Sequence, residues 1–130
     1  MVPVIKDADQ MSLKEISLEL VRLSEDARTG KIQISDLQGG TFTISSLGGF
    51  GGVGFTPIIN PPEVAILGVA RAQIRPIMIK GKFLPRLILP LSLSYDHRVI
   101  DGVGGIQFTS ALKELLENPE SYLSEEISND

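Results

Sequence analysis

From Leu87 to Tyr95 apolar side chains recur at every second position, at Leu87, Leu89, Leu91, Leu93 and Tyr95. That is the period of a strand with one face in a core. Upstream the period lengthens. Ser12 and Glu15 form a capping-box pattern, and Leu13, Ile16, Leu20, Leu23 and Ala27 follow at helical spacing before Gly30. An amphipathic helix is predicted there, with Lys14, Glu15, Glu19, Arg22, Glu25 and Asp26 on its solvated side. Lys31 to Gln38 reads as a connection with one helical turn, and Val2 to Ile5 as a short strand. Thr41 to Leu47 alternates, with Phe42 and Ile44 facing one way and Thr41, Thr43 and Ser45 the other. Glu63 to Ile74 reads as one long apolar strand. Ile77 to Ile79 and Phe83 to Leu89 form the arms of a hairpin with an exposed basic tip at Lys80-Gly81-Lys82. Pro76, Pro85 and Pro90 confine parts of it to edges, bulges or strand ends. A final helix runs from about Val103 to Glu117, with Ile106, Phe108, Ala111, Leu112, Leu115 and Leu116 apolar, and Asn118-Pro119 ends it. The expected class is α+β, a mixed, largely antiparallel sheet with flanking helices.

A chain of 130 residues fits one domain with one core. Its net charge of −4 supplies no basic field for nucleic acid or an anionic membrane, and neither partner is expected. Apolar runs are interrupted well before the roughly 20 residues needed to span a bilayer. Lys6, Asp7 and Asp9 follow directly on Val2 to Ile5, so no secretory leader is expected. A cytoplasmic location is expected, with the mitochondrial matrix as the alternative. There is no cysteine and one histidine, so no disulfide, thiolate nucleophile or metal site is expected.

That histidine, His97, stands at the end of the alternating strand in Asp96-His97-Arg98-Val99-Ile100-Asp101-Gly102. A rigid strand behind it and a carboxylate four residues on suit a general base. The plainer reading is a histidine without chemistry, Asp101 capping the next helix and Asp96 pairing with Arg98 within the turn. Ser45 likewise reads as an ordinary hydroxyl on a strand face. Asn60 reads as a loop-forming residue with a substrate contact open to it. Gly49, Gly51 and Gly54 satisfy a G-x-G-x-x-G pattern, but Pro57, Pro61 and Pro62 preclude the helix that a dinucleotide would need. These glycines read as a turn.

Tyr95-Asp-His-Arg-Val-Ile-Asp-Gly102 closely resembles the signature of the dihydrolipoamide acyltransferases of 2-oxo acid dehydrogenase complexes, and more loosely the His-x-x-x-Asp-Gly of chloramphenicol acetyltransferase. Val2-Pro-Val-Ile, Gly40-Thr-Phe-Thr-Ile-Ser-Ser-Leu-Gly, Phe55-Thr-Pro-Ile-Ile-Asn-Pro-Pro-Glu-Val-Ala-Ile-Leu-Gly and Leu91-Ser-Leu-Ser extend the resemblance in the family's order. It implies that residues 1–130 are the C-terminal part of a chloramphenicol acetyltransferase-like catalytic domain, without the N-terminal half and without lipoyl or subunit-binding domains. The implied reaction moves an acyl group between dihydrolipoamide and coenzyme A as substrates, the lipoyl group coming from another domain. His97 is then the general base for the thiol, Ser45 the oxyanion donor, and Asp101 the residue that holds the loop and the imidazole, bonding backbone or Arg98 as readily as His97.

The resemblance further implies a homotrimer with Ser45 and His97 meeting between subunits. Larger shells of the family use an apolar C-terminus, whereas Tyr122 to Asp130 is polar and acidic and reads as frayed, so a trimer is expected more than a shell. The acyl group stays open among acetyl, branched-chain and succinyl. Two other readings use the same residues: a Ser45-His97-Asp101 hydrolase triad, although Thr43 and Leu47 occupy the glycine positions of a nucleophile elbow, and a non-catalytic assembly core.

Overall fold

The computed structural model describes residues 2–120, so the acidic tail from Tyr122 lies outside the described residues. The chain divides into two units, Met1–Gly40 with Leu115–Asp130, and Thr41–Glu114.

In the first unit, helix α1 (Leu13–Thr29) starts on the expected capping box. The Ser12 amide donates to Glu15 at 2.8 Å while the Glu15 amide donates to the Ser12 hydroxyl, and Gly30 closes the helix at φ 73°. These bonds satisfy amide groups that a helix start otherwise leaves open. The buried face is narrower than the apolar pattern suggests: Leu23 is 2 % exposed, whereas Leu13 and Leu20 are more than half exposed. The charged side is also more than a solvated face. Arg22 bonds Glu19 at 2.6 Å and Asp26 at 3.1 Å and reaches Asp36 at 3.4 Å, in the 3-10 turn Ile34–Leu37 that the connection was expected to hold. The guanidinium hydrogen bond holds the Glu19 carboxyl below its usual range. Val2 to Ile5 forms no strand, because among the described residues it meets no partner strand. Its recorded backbone bond is the Val4 amide donating to the Asp36 carbonyl at 2.7 Å, one contact rather than a ladder.

In the second unit, β1 (Thr43–Ser46), β2 (Ala65–Val69), β3 (Gln73–Ile79), β4 (Lys82–Ile88) and β5 (Leu91–Tyr95) make two sheets. One has the order β1-β2-β5, with β1 parallel and β5 antiparallel to β2; the other is the β3–β4 hairpin. This mixed, largely antiparallel arrangement flanked by helix α2 (Gly102–Glu117) is the expected α+β class. Lys80 and Gly81 turn the hairpin with φ of 49° and 77°, the two left-handed residues of a type I′ turn, and its basic tip is exposed.

Two expected strands are each broken in two. Glu63 to Ile74 ends its ladder where the Ala70 amide donates to the Pro90 carbonyl, and Arg71 and Ala72 then lead to the hairpin. Leu87 to Tyr95 is interrupted at Leu89 and Pro90. The breaks are neighbours in space, and Pro90 has no amide with which to continue a ladder. The chain changes sheets there twice.

Ala65, Ile66, Leu67 and Ala70 form the buried centre. On one side of the sheet Tyr95 lies against Gly105 of α2, where an added β-carbon would stand 2.7 Å from the ring. On the other side Phe55 and Pro57 cover Gly68, whose added β-carbon would stand 3.0 Å from the Phe55 ring. The expected apolar face of α2 is therefore not its most buried one. Gly105 is buried and Thr109 and Leu112 are half-buried, whereas Ile106 is 68 % exposed and Phe108 rests on Phe42 at 5.6 Å. Closest approach on Tyr95, rather than greatest hydrophobicity, sets the helix rotation. Among the described residues, no helix is long and apolar enough to cross a membrane.

Candidate functional site

β5 carries its ladder one step past its end, where the Asp96 amide donates to the Val64 carbonyl at 2.8 Å. The chain then turns sharply, and the Val99 and Ile100 amides both donate to the Asp96 carbonyl at 2.9 Å. The Asp96 carboxylate accepts the Arg98 backbone amide at 3.0 Å, its Nε at 2.9 Å and its Nη2 at 2.6 Å. Arg98 thereby draws the Asp96 carboxyl down to about 2, the side-chain bonds contributing most and the backbone bond next, while Asp96 raises the Arg98 guanidinium.

His97 projects from this turn and is exposed. Its ring lies 5.9 Å from that of Tyr95, centroid to centroid, tilted by 35°. Of the partners expected for Asp101, the structure shows the backbone: its carboxylate accepts the Gly104 amide at 2.8 Å and its carbonyl the Gly105 amide at 3.1 Å. Asp101 thus caps α2, in the role open to it from the sequence.

Ser45 is half-buried on β1, in register with Gly68 and, across β2, with Ser92. The alternation of β1 is as expected, but its polar row is the covered one: Thr43 is 7 % exposed and Ile44 65 %. Thr43 donates its hydroxyl to Glu63 at 2.6 Å, tying β1 to the turn in which the Glu63 amide donates to Asn60. The pair has no local signature in the sequence, because only strand register brings two residues 20 apart together; the one signal is a lone carboxylate just before an apolar run.

Ser45 and His97 do not meet within one chain. Ser45 stands two strands across from β5, level with Ser92, and Asp96 is four residues further along. At about 3.4 Å per residue and 4.8 Å per strand, Ser45 and Asp96 are about 17 Å apart, and His97 is one residue beyond. A groove beside the turn is lined by Ile59, Pro61, Pro62, Glu63, Val64, Asp96, Arg98 and Val99, and His97 is not among these residues. Among the described residues, no cluster of three His, Cys, Asp or Glu side chains could hold a metal ion.

The chain is similar to solved and curated acyltransferases. A structure of the dihydrolipoamide acetyltransferase of Azotobacter vinelandii superposes with a TM-score of 0.88 at 52 % identity, covering 92 % of this chain and 49 % of that one. It concerned a serine, a histidine and an asparagine in that enzyme's catalytic mechanism, the serine 52 residues before the histidine and the asparagine four after it. The same offsets separate Ser45, His97 and Asp101, with aspartate in place of asparagine. The dihydrolipoyllysine-residue acetyltransferase component of the pyruvate dehydrogenase complex of Buchnera aphidicola subsp. Acyrthosiphon pisum is 53 % identical over 117 residues, 90 % of this chain and 30 % of the relative. The dihydrolipoyllysine-residue succinyltransferase component of the 2-oxoglutarate dehydrogenase complex of Rickettsia typhi is 49 % identical over 122 residues, 94 % and 31 % of the two chains. This chain therefore spans about half of the solved catalytic core and less than a third of the curated relatives. Residues 1–124 match the model of the 2-oxoacid dehydrogenases acyltransferase catalytic domain, and the chain belongs to that family.

Proposed function

We propose that this chain transfers an acyl group between dihydrolipoamide and coenzyme A at a site completed by two copies of the molecule. His97 takes the proton of the attacking thiol, and the resulting thiolate adds to the thioester carbonyl. The Ser45 hydroxyl of a neighbouring copy donates to the oxyanion. Collapse of the tetrahedral intermediate expels the second thiolate, which recovers the proton from the imidazolium. The acceptor is a thiol and the thiolate is its reactive form, so a base that takes the thiol proton supplies the missing nucleophile.

The observation that carries this reading is the separation of Ser45 from His97 at opposite ends of the sheet, combined with residue offsets identical to those in the Azotobacter enzyme. An oxyanion donor about 17 Å from the residue that precedes the base serves one carbonyl with that base only when each comes from a different copy. A closed ring such as a trimer satisfies this with one kind of interface. The lipoyl group then arrives on another domain. The same separation, with Asp101 engaged on Gly104, tells against a hydrolase triad within one chain.

The test is acyl exchange between coenzyme A and dihydrolipoamide by the His97→Ala variant, alongside the mass of the assembly by light scattering. A loss of about 10² to 10⁴ in rate is expected for a general base; unchanged turnover removes His97 from the role. A second reading is an assembly core without turnover. A folded assembly that binds neither thiol substrate would support it. Acetyl and succinyl transferases are nearly equally similar to this chain, so the acyl group stays open between those two and a branched chain.

A further inference from the structure

His97 stands between two residues that are committed to each other. Asp96 is fixed from three sides: its amide by Val64 on the sheet, its carbonyl by the Val99 and Ile100 amides, and its carboxylate by the backbone and guanidinium of Arg98. Among the described residues the imidazole itself has no hydrogen-bond partner, and its one ring neighbour is Tyr95. The direction in which it leaves the turn is therefore set by the backbone on either side and by that ring face. An ion pair whose Arg98 side chain is 88 % exposed contributes little to stability. Its geometry is another matter, since a planar fork gripping one carboxylate restricts the intervening residue in a way a single ammonium cannot.

We propose that Asp96 and Arg98 are positioning residues for His97, their fork and the Arg98 amide fixing the turn so that the imidazole is held against Tyr95. This rests on the reading of His97 as the base. Misplacing a catalytic group by about 1 Å can cost about 10²-fold in rate, so a surface pair with little effect on stability can still have a large effect on turnover.

Because His97 is the only histidine, its ring gives one set of imidazole carbon–proton signals in the spectrum of the whole chain. In the Arg98→Ala variant these are expected to move toward free histidine as the ring leaves the Tyr95 face, and kcat to fall by about 10- to 100-fold with KM for coenzyme A within about twofold. Arg98→Lys should restore only part of both, and Asp96→Asn, which keeps an acceptor for the Arg98 amide, should lie between. Unmoved ring signals with unchanged kcat in Arg98→Ala overturn the proposal. If the ring signals move but His97→Ala turns over at the original rate, the positioning stands and the base assignment falls.

Discussion

Tyr95 and Gly105 touch so closely that a β-carbon on Gly105 would stand 2.7 Å from Cε1 and 2.9 Å from Cζ of the ring. This contact joins β5 to α2 immediately behind the His97 turn. Gly105→Ala is expected to destabilise by about 1–3 kcal/mol, the usual cost of overpacking a filled core. Urea unfolding measures it. A loss beyond the small gain in helix propensity is expected, and a more stable variant would contradict the packing described.

Asp101 acts on α2 through the Gly104 amide. Asparagine caps a helix about as well as aspartate, whereas alanine costs about 0.5–2 kcal/mol. Asp101→Asn should therefore keep both melting temperature and turnover, in line with the asparagine at this offset in the Azotobacter enzyme. Asp101→Ala should lower both. Equal damage from the two substitutions would mean that the charge, rather than the cap, matters.

Ser45 makes no side-chain hydrogen bond among the described residues, and its neighbours on the sheet are Gly68 and Ser92. Ser45→Ala should leave the melting temperature nearly unchanged. Turnover should fall by about 10² to 10³, the effect of removing one oxyanion donor. A rate within twofold of the original would dismiss the hydroxyl from the chemistry.

The Asp96 carboxyl is held at about 2, below its ordinary 3.8, by the bonds from Arg98. A depressed carboxylate stabilises the fold above its unfolded value and loses that contribution as the pH falls through its folded value. The turn should thus be fully tied above pH 3.8 and released toward pH 2. The Asp96 carboxyl carbon, followed by NMR, should titrate near the lower value, and Arg98→Ala should return it toward the upper one. A midpoint near 3.8 in the unaltered chain would contradict the bonding described.

Helix α1, the hairpin turn and the end of α2 were legible because each depends on local signals: Ser12 with Glu15, Lys80-Gly81, and Asn118-Pro119. The strand breaks were not, because the apolar alternation runs straight through Ala70 to Ala72 and through Leu89 and Pro90. Only pairing with other strands shows where each ladder stops. The rotation of α2 was hidden for a similar reason, since Gly105 carries no hydrophobic signal and acts by letting Tyr95 come close. His97 was found by being alone, and Asp101 by preceding a helix. Thr43 with Glu63, and the distance from Ser45 to His97, required strand register.

The shared site is tested most directly by mixing two inactive variants, Ser45→Ala and His97→Ala, unfolding them together and letting them reassemble. If each site takes its base from one copy and its oxyanion donor from the next, random assembly of equal amounts restores about a quarter of the original sites. If both residues serve a site within one chain, every chain in the mixture lacks one of them and the recovered acyl transfer stays at the level of the separate variants.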